Sequence, residues 1–188
     1  GESGGVGAGL LLNGEVYNGG GNAGEIGHMS IDVNGYPCFC GNRGCLEKYV
    51  DVNAIYQRFI HAMLSGRKTS LSKHIGGDLN KINIDAISKC LEEGDPVALE
   101  IIDDVAQKFA SGLNNIINTL NPELIVIGGI YPKLGSKMLE SIREHVSSIW
   151  FSSGLENTEI RYRRREYDDI AFGGAMYFID KIFNVNEY

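Results

Sequence analysis

The sequence has no apolar run approaching the roughly 20 residues that a membrane-spanning helix needs, and no positively charged segment followed by an apolar core opens it. A spanning helix and a secretory leader are therefore not expected, and the reading is of a soluble, cytoplasmic chain with no membrane partner. Positive charge is short as well: 17 Lys and Arg stand against 24 Asp and Glu, a formal net charge of -7. An acidic surface repels DNA phosphates and gains nothing from counterion release, so any contact with nucleic acid has to come from another part of a larger protein. No initiator Met starts the chain, which opens in a glycine-rich stretch. Gly1 reads as the scar of a removed tag on a truncated protein. Cysteine is scarce, and three of the four fall between positions 38 and 45.

What is present is ordinary globular material. At 188 residues, 43% hydrophobic and 22% charged, residues 1–188 are expected to form a single domain around one core rather than a disordered chain. From Gly4 to Tyr17, GGVGAGLLLNGEVY reads as strand, Asn13-Gly14 turn and strand, because Asn-Gly tolerates the positive φ angles of a two-residue hairpin. From about 19 to 47 glycine is dense and periodicity is absent, which marks an insert in need of an external staple. Leu46 to Leu64 is expected to be one helix, ended by Gly66. A short helix is expected from Ile84 to Leu91, and Asp95-Pro96 caps a long amphipathic one that stops at Asn121-Pro122. Leu124 to Gly129, LIVIGG, has the continuous apolar character of a strand buried on both faces of a parallel sheet. A helix from Lys133 to Ile149, a strand from Glu159 to Arg163 and a closing helix from Ala171 to Ile182 complete an α/β pattern.

The insert carries HMSIDVNGYPCFCGNRGC, with Cys-x-Cys-x4-Cys beginning ten residues after His28. Thiolate and imidazole donors gathered in a loop with almost no core suit a tetrahedral zinc ion held by His28, Cys38, Cys40 and Cys45. Four protein donors leave no open position for water, so such a site is structural. Disulfide bonding is the rival, disfavoured by the two-residue spacing of Cys38 and Cys40 and by a reducing cytoplasm. Cys90, alone on a helical pattern, reads as a small buried apolar residue. His61, His74 and His145 have no companions at ligand spacing and read as surface or packing residues. The run Arg161, Arg163, Arg164 and Arg165 reads as a solvated strand edge or salt-bridge partners. Tyr17, Tyr36 and Tyr49 flank the insert, where they line a pocket or pack on the loop.

Together, GEIGH at 24–28 and CFCGNRGCLE at 38–47 resemble the ROK family, named for repressors, open reading frames and kinases. Every fixed position of its Cys-x-Cys-Gly-x-x-Gly-Cys-x-Glu motif is present, Glu-x-Gly-His lies upstream, and GVGAG and VIGG stand before and after. The resemblance covers the whole chain but only about the C-terminal half of a family member. It implies an actin-like, ribonuclease-H-like ATPase fold whose zinc loop shapes a sugar pocket, with the zinc on His28, Cys38, Cys40 and Cys45. It also implies that Glu25, His28 and Glu47 contact sugar hydroxyls, and that the chain forms a dimer or tetramer. Carboxylates accept bonds from paired hydroxyls, and one imidazole can serve a metal with one nitrogen and a sugar with the other.

Family kinases cradle nucleotide phosphates on glycine-rich turns, which places Gly5, Gly7, Gly9, Gly128 and Gly129 as the corresponding cofactor positions. The first turn here is Ser3-Gly4-Gly5-Val6-Gly7, without the usual Thr, and Ile130 stands where kinases tend to carry a third glycine. The Asp-x-Gly-x-Thr phosphate loop and the catalytic Asp both belong upstream of this chain, so ATP-driven sugar phosphorylation by these 188 residues is not expected. The favoured parent is a sugar-responsive transcriptional regulator of the N-acetylglucosamine or xylose repressor type, touching DNA through an N-terminal helix-turn-helix outside this chain. The alternative is an ATP-dependent glucokinase or N-acetylmannosamine kinase, and a third reading is a zinc-organised interaction module.

Overall fold

A computed structural model describes residues 5–148 and 158–163. Its element order is a hairpin, a looped insert, a run of helices, and two parallel strands joined through a helix. The hairpin pairs β1 (Leu10–Leu12) with β2 (Glu15–Tyr17) antiparallel, Leu12 opposite Glu15. Its turn residues Asn13 and Gly14 both have positive φ, 54° and 82°, the combination a two-residue turn needs to match strand twist.

The stretch expected to be one helix from Leu46 to Leu64 is two: α1 (Glu47–Val50) and α2 (Val52–Leu64). Asp51 separates them. Its backbone is extended, at ψ 167°, and its carboxylate accepts the Ala54 N–H at 2.6 Å, so it caps the second helix instead of continuing the first. A short helix, α3 (Leu71–His74), and a 3₁₀ turn (Leu79–Lys81) lead to α4 (Ile84–Glu92), capped by the Asn83 side chain. The long helix is α5 (Pro96–Leu120), closed by Asn121 in the left-handed region at φ 43°. Its buried residues recur at the three- and four-residue spacing read in the sequence, from Val97 to Ile117.

Next come β3 (Leu124–Ile127), a 3₁₀ turn (Tyr131–Leu134), α6 (Gly135–Ser147) and β4 (Glu159–Tyr162). The parallel pairing of β3 and β4 is as expected, Leu124 opposite Glu159. Burial on both faces of β3 is not: Ile127 is buried, but Leu124 and Val126 are 39% and 52% exposed. Among the described residues the sheet has these two strands, with Ile127 and Ile160 turned into the core. The closing helix expected over Ala171–Ile182 lies outside the described residues, as do Arg164 and Arg165. Arg161 meets Glu159 at 3.4 Å, a local ion pair as anticipated.

The core is built from α1, α2, α4, α5 and α6. Phe109 stacks on Tyr131 with ring centroids 4.9 Å apart, and the buried Tyr131 hydroxyl donates to the Val50 carbonyl at 2.7 Å. The fully buried Leu46 presses on α5 where Gly112 offers no side chain; a Cβ there would overlap the Leu46 methyls. Cys90 is fully buried, its thiol donating to the Ala86 carbonyl at 3.2 Å, as read from its solitary place on a helix. His74 and His145 sit against Glu93 and Asp103 at 3.1 and 2.9 Å, ordinary packing partners. Among the described residues no helix is long and apolar enough to cross a membrane.

Asp95 ties several elements together. One carboxylate oxygen accepts from the N–H groups of Val97 and Ala98, capping α5; the other accepts from the Thr69 hydroxyl and the Ser70 N–H. Burial opposes its ionisation, but the Ala98 and Ser70 amides outweigh it and hold the carboxyl below its ordinary value. Replacing Asp95 with Ala is expected to destabilise the fold by about 2 kcal/mol, the upper range for an N-cap, in chemical denaturation. A depressed carboxyl stabilises the native state above the unfolded value near 4 and stops doing so as pH falls through the folded value. The difference between wild type and Asp95→Ala should accordingly shrink on acidification below about pH 4.

Candidate metal centre

The insert folds mainly by backbone geometry, with Met29 and Ile31 packed partly against the core. Asp32 starts a tight turn: its carboxylate accepts the Asn34 N–H at 3.0 Å and its carbonyl the Gly35 N–H at 2.9 Å. Tyr49, reaching back from α1, places its buried hydroxyl 3.4 Å from the Asp32 carboxylate and 3.3 Å from the Tyr36 N–H. A second turn forms over Cys38 to Arg43. There the Cys38 N–H donates to the Asn42 carbonyl and the Gly41 N–H to the Cys38 carbonyl. A bridge between Ser30 and Cys45 closes the base. Gly44 is required at this closure: its φ is 66°, and a Cβ would overlap the Asp32 carbonyl.

These turns bring His28, Cys38, Cys40 and Cys45 together, with all four ligand atoms within 4.8 Å of one another. Cys38 Sγ lies 3.7 Å from His28 Nδ1, and Cys40 Sγ 3.6 Å from Cys45 Sγ. Around a tetrahedral zinc with ordinary bond lengths the corresponding separations are about 3.6 Å for sulfur to nitrogen and about 3.8 Å for sulfur to sulfur. The donor set and its spacing therefore fit a four-coordinate ion of that kind. No disulfide joins the cysteines.

The thiols differ in their surroundings. Burial pushes Cys45 up to about 12, with the neighbouring Cys40 and Cys38 adding to the rise. Burial also raises Cys38, and the Glu47 carboxylate at 3.2 Å adds to it. Cys40, exposed, is lowered, chiefly by the Asn42 backbone N–H. A cation at the centre would reverse the balance for the two buried thiols by supplying the charge they lack.

Of the three residues expected to meet sugar, two belong to this cluster. Glu47 is buried at 4% exposure, its Oε1 3.7 Å from His28 Nδ1 and 3.8 Å from Lys48 Nζ. His28 is half-buried and meets the Phe39 ring edge-on at 5.3 Å. Glu25 is exposed at the start of the 3₁₀ turn Ile26–His28 and makes no capping bond there. Gly5, Gly7 and Gly9 lie along the lead to the hairpin, which is tied to the insert by the Ala8 N–H to Gly24 carbonyl and Gly27 N–H to Val6 carbonyl bonds. Gly128 and Gly129 form the turn after β3. Tyr49 packs on the loop, with Tyr36 beside it at 5.4 Å between centroids, whereas Tyr17 is 49% exposed on the hairpin. Asp32 was not singled out from sequence; the Asp-x-x-Gly spacing at 32–35 was the signal for its turn.

The ROK family model matches residues 3–182, and the chain belongs to that family. It is 35% identical over 144 residues to a putative xylose repressor of Caldicellulosiruptor sp. (strain Rt8B.4), covering 76% of this chain and 35% of that protein. The structure superposes on a ROK family transcriptional regulator, a homolog of the E. coli MLC protein, with a TM-score of 0.75 and 31% identity, over 85% of this chain and 39% of that one. It also superposes on a ROK family glucokinase from Streptomyces griseus in complex with glucose and AMPPNP, with a TM-score of 0.74 and 25% identity, over 84% and 51%. The fold is accordingly the actin-like one of these sugar kinases and regulators. The chain spans about half or less of the length of the curated relatives it matches.

The loop geometry separates two glycines of the cysteine motif. Gly41 also has positive φ, 91°, but a Cβ there meets open space. Gly41→Ala should cost about 1–2 kcal/mol of backbone strain, and Gly44→Ala clearly more because the Asp32 carbonyl must also move. Thermal unfolding of the two variants side by side measures the difference.

Proposed function

We propose that this chain is the sugar-sensing, zinc-binding part of a cytoplasmic ROK-family transcriptional regulator, acting as a homo-oligomer and reaching DNA through a segment outside these residues. The observation that carries the reading is the placement of His28 and the buried Glu47 on one thiol cluster. An ion held by His28, Cys38, Cys40 and Cys45 would supply structural charge and fix the imidazole through Nδ1. That leaves Nε2 to meet a hydroxyl, with Glu25 and Glu47 as carboxylate acceptors. Such a site binds and orients; it performs no bond-making.

The choice of regulator over kinase rests on the nucleotide side. Gly128 and Gly129 are followed by Ile130, whose side chain packs against the core at the turn after β3, where a third glycine would leave room. The kinase reading has its own support in the superposition on a glucokinase and in the 31% identity to a glucokinase of Halalkalibacterium halodurans over 176 residues. On that reading Gly5, Gly7, Gly9, Gly128 and Gly129 would approach nucleotide phosphates.

Elemental analysis of the purified chain should find about one zinc per molecule, lost in Cys45→Ser together with thermal stability. Because burial holds the Cys45 thiol at about 12 without a cation, binding must displace protons, and zinc retention should fall as pH is lowered. Titration of the intact parent protein with xylose, N-acetylglucosamine and glucose should give heat for at least one, reduced at least tenfold in affinity by Glu47→Gln. Sugar-dependent ADP release by the parent would overturn the regulator reading and establish the kinase one.

A further inference from the structure

The cluster is not symmetric with respect to solvent. Cys38 and Cys45 are buried, at 8% and 0% exposure, whereas Cys40 is exposed. Cys40 sits beside Gly41, where an added Cβ would meet open space, so the backbone on that side is unhindered. Cys45 is fixed by the bridge to Ser30 and by its thiol contact to the His28 carbonyl at 3.5 Å. The two sulfurs are 3.6 Å apart, so side-chain rotation and a small movement of the Cys40 turn are enough to reach the S–S bond length of about 2 Å. Cys38 is held otherwise, its thiol on Glu47 at 3.2 Å and beside His28 at 3.7 Å.

We propose that Cys40 and Cys45 form an oxidisable pair: Cys40 is the site at which a peroxide modifies this chain, and Cys45 resolves the product to a disulfide. In the first step the Cys40 sulfur attacks one peroxide oxygen, the O–O bond breaks, and the second oxygen leaves as water after taking a proton; Cys40 becomes a sulfenic acid. In the second, the Cys45 sulfur attacks the Cys40 sulfur, the S–O bond breaks, and the oxygen leaves as a second water with the Cys45 proton. Two thiols lose two electrons and one peroxide is reduced to two waters. The pair then offers no thiolate to a cation, leaving only His28 and Cys38 of the four donors. That consequence rests on the zinc reading above; the modification itself does not.

The sequence supplies its own assay. Arg43 is the first Lys or Arg in the chain and lies between the two cysteines, so trypsin separates residues 1–43, with Cys38 and Cys40, from 44–48, with Cys45. The purified 188-residue chain is analysed for zinc, treated with hydrogen peroxide, alkylated and digested without reductant. Expected are a cross-linked 1–43/44–48 species whose fragmentation places the bond on Cys40, alkylated Cys38 and Cys90, zinc released to a colorimetric chelator in step with the link, and reversal by dithiothreitol. A link through Cys38, over-oxidised Cys40 with alkylated Cys45, or four alkylated cysteines after excess peroxide would overturn the proposal. A Cys40–Cys45 link in protein that never held zinc would support the pair while removing the metal reading; zinc-loaded protein that forms no link would do the reverse.

Discussion

The contact on which the site depends is the seat of Leu46 against the bare flank of α5 at Gly112. Leu46 lies between Cys45 and Glu47, so a single buried aliphatic side chain fixes both the last cysteine of the loop and the carboxylate that faces it. The loop buries little apolar surface of its own: Val33, Tyr36 and Phe39 are 64% exposed or more, and Met29 and Ile31 pack partly against the core. Its position on the domain is set by Met29 and Ile31 together with Leu46 and the Tyr49 hydroxyl reaching Asp32. Within that frame, turns at 32–35 and 38–43 aim the sulfurs, and chemistry takes over where packing stops.

What could be read in the sequence was whatever depends on local rules. The Asn13-Gly14 hairpin turn, the Asp95-Pro96 start and Asn121-Pro122 end of α5, and the four donors of the cluster all follow from a few adjacent residues or a fixed spacing. The break at Asp51 was missed because apolar spacing continues across it, and only the extended backbone at that residue turns its carboxylate into a cap. The two-sided burial expected for β3 was missed for a different reason. Apolar character says that a strand is meant to be covered, but not by which segment, and within the described residues Leu124 and Val126 are only partly covered. The residues expected to contact sugar stand between these cases. Glu47 and His28 lie on the cluster, while Glu25, three residues from His28, faces solvent, a difference that spacing alone does not encode.

Buried charge is handled in two ways. Asp95 stays ionised because backbone amides and hydroxyls surround it, and its role ends with holding α3 and α5 in register. Glu47 has no comparable shell of donors. Its near neighbours are a thiol, an imidazole and the Lys48 ammonium. A satisfied carboxylate stiffens a scaffold; an under-satisfied one is available for binding.

The hydrogen bond from Tyr131 to the Val50 carbonyl joins two regions 81 residues apart in sequence. Val50 ends the single turn of helix that Glu47 begins, and Tyr131 opens the turn that follows Gly128 and Gly129. With Phe109 stacked behind it, the tyrosine acts as a strut of fixed length between the glycine turn and the carboxylate. A single buried hydrogen bond thus ties the turn after β3 to the helical turn that carries Glu47.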